Sequence, residues 1–204
     1  YLRGWLPADK GAALLDVGCG EGPLLQALAA WGYTNVLGIE SRPEAVATCC
    51  QKGFNVICAD ARTFFEKRDS KYDVVFLIDV LEHFSVEEAI SFLIGIKNCL
   101  SGNGKLIVQV PNLASPFGPA IFFGDITHKT GFTPDSLVQI MRSAGLVEME
   151  IRPAGPGFWS WRSACRWAAW KLIAMVFRAC NLVETGNLWP QPITRVMLGI
   201  FKAR

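Results

Sequence analysis

Short apolar runs and longer mixed stretches take turns along this chain. The runs Leu14–Gly18, Asn35–Glu40, Asn55–Ala59, Asp73–Asp79 and Lys105–Val110 read as strands, the first of them buried. Between Asp73 and Asp79 no polar residue interrupts, as expected of a central parallel strand covered on both faces. Helical stretches separate them: Pro23–Trp31, Pro43–Lys52, a short piece Ala61–Arg68, and Ser85–Leu100. Ser85 can cap the last of these, with Glu87 and Glu88 at its positive end. Gly102-Asn103-Gly104 reads as a turn. Thr133 opens another helix, with Pro134 in its first position, that closes at Gly145. Leu146–Arg152 and Thr194–Phe201 read as the final two strands. The rhythm predicts an α/β fold, one doubly wound sheet with helices on both faces and no internal repeat. Residues 1–204 are expected to form a single domain, with 153–190 a helical apolar insertion between the last two strands.

Composition adds a few constraints. The 204 residues suffice for one domain with a full core. The net charge is +2 and no basic block stands out, so no nucleic-acid partner is expected. Hydrophobic residues make 51% of the chain, with the surplus near its C-terminal end. The seven cysteines are scattered, without a C-x-x-C pair or a Cys/His ligand spacing. Free, mostly buried thiols in a reducing cytoplasm are therefore expected, and no metal site. No signal peptide opens the chain, which begins abruptly at Tyr1 and leaves a preceding segment open.

The densest chemistry lies in Leu14-Leu15-Asp16-Val17-Gly18-Cys19-Gly20-Glu21-Gly22. A strand ends in an acid, three glycines follow at every second position, and a helix begins. At such a turn an α/β sheet offers backbone N–H groups and a positive helix end to a ligand. Glycine there takes angles closed to other residues and lets a ligand approach the main chain. The dinucleotide signature places its last glycine one residue further on. Glu40 ends the second strand about twenty residues after the turn, a spacing that suits an acceptor for ribose hydroxyls. The plainer alternative is a surface acid in a loop.

Asp16 and the Gly18-x-Gly20-x-Gly22 turn resemble motif I of the class I S-adenosylmethionine-dependent methyltransferases. Asp79-Val80-Leu81-Glu82-His83-Phe84, after the fourth strand, resembles motif IV of the small-molecule members. The resemblance implies a Rossmann-like, seven-stranded, mostly parallel sheet with an antiparallel last strand, and S-adenosylmethionine as cofactor. It assigns cofactor binding to Asp16, Gly18, Cys19, Gly20, Gly22, Glu40, Ser41, Asp60, Ala61, Asp79, Val80 and His83. Asp60 would bond the adenine amino group, though a short acid at a strand end is also a common turn former. Asp79 would balance the positive sulfur and the amino group of the cofactor. His83 would line the pocket or cap the next helix, or simply pack. Tyr1 and Trp5 are left open as cofactor contacts. A nicotinamide-dependent oxidoreductase is excluded, because it needs a different glycine spacing and has no use for the 79–84 segment.

Pro111–Pro119 and Gly124–Pro134 form a long, aromatic-rich loop leaving a strand at the ligand-binding edge, and such loops are commonly functional. Gly124-Asp125-x-Thr127-His128, with Phe132-Thr133-Pro134 after it, resembles a subgroup found with bacterial exopolysaccharide and O-antigen assembly. That implies O-methylation of a sugar in a cell-envelope glycan or its lipid-linked precursor. His128 and Asp125 are the acid–base candidates, since a hydroxyl nucleophile must lose its proton and histidine titrates near working pH. The alternative is a His128 that tethers the loop and an Asp125 that turns it; a carboxylate acceptor would need no base.

Segment 158–180 carries four tryptophans and four cations without an acid. Arg166 and Lys171 would each cost about 2.5–3.5 kcal/mol at a bilayer centre, so a span is not expected. An interfacial helix tolerates them by snorkelling. Arg162 and Arg166 share one side while Lys171 and Arg178 fall nearly opposite, so no single flat face exists. Packing on the domain or in a dimer interface is the competing explanation. Peripheral contact with the inner face of a membrane, from the cytoplasm, is the expectation. Two further functions stay open: methylation of a hydrophobic small molecule such as a quinone or lipid, and a non-catalytic cofactor-binding partner of a glycosyltransferase. The sequence does not fix the acceptor or the oligomeric state.

Overall fold

The computed structural model describes residues 2, 4–65, 70–157, 160–187 and 192–204. Seven strands form one sheet: β1 (Leu14–Val17), β2 (Val36–Glu40), β3 (Val56–Cys58), β4 (Tyr72–Ile78), β5 (Leu100–Pro111), β6 (Leu146–Pro153) and β7 (Val196–Ala203). Their order is β3-β2-β1-β4-β5-β7-β6. Pairing is parallel from β3 through β5, and β7 runs antiparallel to both of its neighbours. The expected mostly parallel sheet with an antiparallel last strand is thus present.

Pleating sorts the core. Leu15, Val17, Val75 and Leu77 face one side, with α4 (Val86–Cys99) and α6 (Pro134–Ser143) packed there. Leu14, Val74, Phe76 and Ile107 face the other, with Trp5, Leu28 of α1 (Pro23–Ala30) and Tyr33. Ser85 caps α4 as expected. Its hydroxyl accepts from the Glu88 N–H at 3.2 Å, and the Glu88 carboxylate accepts from the Ser85 N–H at 2.8 Å. Thr133 and Ser136 cap α6 in the same reciprocal way.

Three local readings change. Gly102-Asn103-Gly104 is not a free turn but part of β5, which begins at Leu100 opposite Tyr72 and shifts register before Val74 meets Lys105. A bulge absorbs the extra residues without breaking the ladder. The short helix expected over 61–68 is α3, Ala61–Phe64, and positions 66–68 lie outside the described residues. Two short pieces had no strong sequence signal: a 3-10 turn at Leu81–His83 and α5 (Pro119–Phe122). The remaining α2 (Pro43–Gln51) stands as read.

The insertion between β6 and β7 is α7, Trp161–Thr185, capped at its start by Ser160 and at its end by a left-handed Gly186. Only Ser163 and Ala174 of this helix are buried. Trp170 and Phe177 reach Phe117, at ring separations of 5.6 and 5.8 Å. No described helix is long and apolar enough to cross a membrane.

Candidate active site

The sheet order reverses between β1 and β4, and a crevice is expected outside the strand ends there. A cleft of about 720 Å³ occupies that place. Gly18 and Gly20, Glu40 and Ser41, Asp60 and Ala61, Asp79 and Val80, and His83 line it, joined by Asp125 from the long loop. The fold therefore brings ten of the expected site residues to one wall.

The glycine turn works by shape rather than by free donors. The N–H groups of Gly18 and Cys19 both go to the Ile39 carbonyl, at 2.8 and 3.0 Å, and that of Gly22 to the Cys19 carbonyl. The Gly20 N–H goes to Glu40 Oε2 at 2.9 Å. The expectation that this turn offers its N–H groups to a ligand is thus corrected for these four residues, because β2 and the Glu40 carboxylate already use them. Left over is open space at Gly20, whose φ is +53° and where a Cβ would meet only Arg42 Nη2, at 3.8 Å, whereas the place of a side chain at Gly18 is filled by Val80. Gly18 has φ +70°, and a Cβ there would lie 2.7 Å from Val80 Cγ2. Gly22 and Cys19 stand behind the cleft. Gly22 packs on Cys49 and Phe54, while Cys19 is buried and its thiol pKa pushed up by that burial.

Two buried acids underlie the turn. Glu40 Oε1 accepts from the Arg42 N–H at 3.0 Å and its Nε at 3.2 Å. Burial alone would raise its pKa, but the backbone donors of Arg42 and Gly20 and the Arg42 guanidinium together hold it below the usual range. Asp16 is 2% exposed and its Oδ2 has no hydrogen-bond partner among the described residues. Burial, with the Glu40 charge adding to it, pushes the Asp16 pKa up to about 7. A buried acceptor lacking a partner, a glycine hollow and an ionised Glu40 fit a ligand that brings an ammonium group, a close-lying chain and a ribose. That is the shape of S-adenosylmethionine.

Asp60 caps α3, accepting from the Arg62 N–H at 2.9 Å, and still lines the cleft. Asp79 has φ +55°, unique among the described non-glycine residues, and its two oxygens accept from Gln109 Nε2 at 3.1 and 3.0 Å. Such backbone strain tends to collect at functional sites. Desolvation by the cleft walls raises the Asp79 pKa above the ordinary value.

The long loop is stitched to this wall through two backbone carbonyls, that of Phe84, which accepts from the Thr130 hydroxyl at 2.7 Å, and that of Glu82. Lys129 and Thr130 donate their N–H groups to the Glu82 carbonyl at 2.8 and 3.1 Å. His128 is thereby set beside His83, with ring centroids 4.7 Å apart. The Thr127 hydroxyl donates to Asp125 Oδ1 at 2.6 Å, so at 2.9 Å it accepts from His83 Nδ1. His128 Nδ1 donates to the Phe122 carbonyl at 2.7 Å, and its Nε2 lies 4.0 Å from Glu82 Oε1. Hence His83 and Asp125 stand on the cleft wall, while His128 stands behind them. Asp125 is held below the usual carboxylate range by the Thr127 hydroxyl and N–H. Glu82 is 1% exposed with both oxygens unpartnered among the described residues. Burial, with Asp79 and Asp125 nearby, pushes its pKa up to about 8.

Sequence reasoning missed Arg42, Arg62 and Thr127 in the cleft and Glu82 beneath it. An acid inside an apolar stretch, Leu81-Glu82, was the available signal for the last. Trp5 is not a cleft residue. It is buried in the core, its Nε1 donates to Glu150 Oε2 at 3.0 Å, and the Arg152 guanidinium lies 4.4 Å from its ring. Tyr1 lies outside the described residues.

Comparison with known proteins agrees with this geometry. An ubiquinone biosynthesis O-methyltransferase of Cereibacter sphaeroides is 27% identical over 175 residues, covering 77% of this chain and 70% of that protein. A tRNA1(Val) (adenine(37)-N6)-methyltransferase of Bacteroides fragilis is 26% identical, covering 71% and 69%. Among solved structures, a SAM-dependent methyltransferase from Archaeoglobus fulgidus superposes with a TM-score of 0.71 at 21% identity, covering 98% of this chain and 90% of that one. One from Mesorhizobium loti gives 0.70 at 15% identity, covering 98% and 94%. A family model described as a methyltransferase domain matches residues 2–150. The glycine turn, the Glu40 cleft and Asp79 all lie inside that match, so the chain belongs to the methyltransferase domain family and is an S-adenosylmethionine-dependent methyltransferase.

Proposed function

We propose that this methyltransferase O-methylates a sugar hydroxyl in a cell-envelope glycan or its lipid-linked precursor, working at the inner face of a membrane. The resemblance of residues 124–134 to the exopolysaccharide and O-antigen subgroup motivates the acceptor class. The observation that carries the reading is α7 and the space beside it. Eight of the fourteen exposed large hydrophobic residues described belong to this helix, among them Trp161, Leu172, Met175 and Val183. Next to it lies a second cavity of about 660 Å³, lined by Phe117, Arg166, Trp170 and Arg195. Aromatic faces suit a sugar ring, and arginines suit the phosphates of a lipid-linked precursor.

When bound, S-adenosylmethionine supplies a methyl group made electrophilic by a positive sulfur. Asp16 would hold its amino group, Glu40 its ribose and Asp60 its adenine. The missing side chain of Gly20 would leave room for its chain, and Asp79 would balance the charged sulfur. The loop carrying Asp125, Thr127 and His128 closes the cleft on the acceptor side. Holding an acceptor oxygen in line with the methyl group supplies much of the rate. The acceptor proton would leave on the side of the cleft lined by His83 and Asp125, with Glu82 and His128 behind them. We read residues 1–204 as one domain serving this reaction, with 153–190 as its membrane-directed insertion.

The Cereibacter relative, named for ubiquinone biosynthesis, favours a second reading in which α7 caps a quinone. The test offers a polyprenyl-diphosphate-linked oligosaccharide and a hydroxylated polyprenyl quinol side by side, with deuterated methyl donor. Label in the glycan supports the first reading, and label only in the quinol replaces it with the second. A mass-spectrometric comparison of envelope glycans with and without the protein locates the methyl group.

A further inference from the structure

We infer that Glu82, His83 and His128 form a binding site for one divalent first-row metal cation, at the floor of the acceptor side of the cleft. Their ligating atoms lie within 4.8 Å of one another. The chain holds only two histidines, and both stand here although 45 positions separate them. The third member, Glu82, is 1% exposed with neither oxygen bonded among the described residues. A buried carboxylate without a donor is costly unless something positive meets it. No lysine or arginine is paired with Glu82, Asp79 or Asp125 among the described residues; Lys129 goes to Glu88 and Arg62 to Asp60 and Glu88.

The outer hydrogen bonds are those of metal ligands. A ligating imidazole usually donates its second ring N–H to a carbonyl or, directly or through a relay, to a carboxylate. His128 Nδ1 donates to the Phe122 carbonyl, and His83 Nδ1 donates through Thr127 to Asp125. Each ring is thereby left with a lone pair on Nε2, and for His128 that nitrogen faces Glu82. Two imidazoles with one carboxylate suit borderline cations from manganese to zinc and leave coordination positions open. Calcium and magnesium, which prefer oxygen ligands, suit it less.

This deepens the proposed function and rests on it only for the role of the cation. An acceptor hydroxyl reaching an open position would lose its proton to water more readily as the cation takes up the oxygen's charge. His128 is then a ligand rather than a free base. Binding of the cation is measured with no acceptor present, so its failure would leave the glycan reading standing.

The experiment titrates the reduced full-length protein with Mn²⁺ and Co²⁺ by calorimetry, and follows Co²⁺ by visible absorption. One equivalent should bind with a dissociation constant in the micromolar range, without a thiolate charge-transfer band from the seven cysteines. Glu82→Gln and His128→Ala should each weaken binding at least about tenfold, since even outer-sphere changes cost that much. S-adenosylhomocysteine affinity should persist in Glu82→Gln. His83→Ala, on the cleft wall, keeps the test open if a core variant does not fold. No binding below millimolar cation, binding that survives the substitutions, or a thiolate band would overturn the site.

Discussion

At the scale of single residues, Asp16 gives the sharpest test. Its folded pKa, about 7, lies above the ordinary carboxylate value. Between the two values the folded state holds a proton that the unfolded chain has lost, so this group's stability falls as pH rises through that window and then levels. The melting temperature of Asp16→Asn minus that of wild type should therefore grow from about pH 4 to about pH 7. A difference that stays flat across the range would place the cost elsewhere. Gly18→Ala puts a methyl group 2.7 Å from Val80 Cγ2 at a positive φ, so it should lower both stability and S-adenosylhomocysteine affinity. Calorimetry at one temperature reads the second effect. Turnover of His128→Ala should drop roughly 10²–10⁴-fold with cofactor affinity nearly kept, whether the ring removes the proton or holds a cation. Unchanged turnover would reduce His128 to a tether for the loop.

Elements divide into those written in the chain and those assembled in space. β4 was legible because Val74 to Ile78 are uninterrupted apolar, and α4 because Ser85 and Glu88 announce its start. The bulged opening of β5 was not, since Gly102-Asn103-Gly104 has turn chemistry and only its pairing with β4 makes it strand. Glu40 and Asp79 were found through spacing and resemblance. The Glu82 cluster was not, because no local ligand spacing exists when the partners come from a 3-10 turn and a distant loop. Ser85→Ala should cost about 1 kcal/mol through the lost cap. In a chain of this size that amounts to roughly 2–4 °C in melting temperature, read by circular dichroism. For α7, the protein should sediment with anionic liposomes, and Leu172, Met175, Val176 and Val183 changed together to Ser should abolish this. These side chains are exposed, so the fold should survive the change. Equal sedimentation of the variant would leave self-association as the use of that face.

For the whole molecule, the fold class and the cleft at the switch point followed from alternation and the glycine turn. The cavity beside α7 did not, because it depends on how α7 lies against Phe117 and on the strand end at Arg195. Binding to the folded state alone raises stability by mass action. At a hundredfold its dissociation constant, S-adenosylhomocysteine should add about 2.7 kcal/mol. The corresponding rise is roughly 5–10 °C in melting temperature.

One topological detail bears on how the chain is made. β7 sits between β5 and β6, so β6 has no hydrogen-bonding neighbour until residues 196–203 leave the ribosome. Until then a nascent chain displays two unsatisfied strand borders and a greasy helix between them, a combination that invites clumping. Glu148, Glu150 and Arg152 along β6 place charge on one of those borders, which would keep half-made copies apart while they wait.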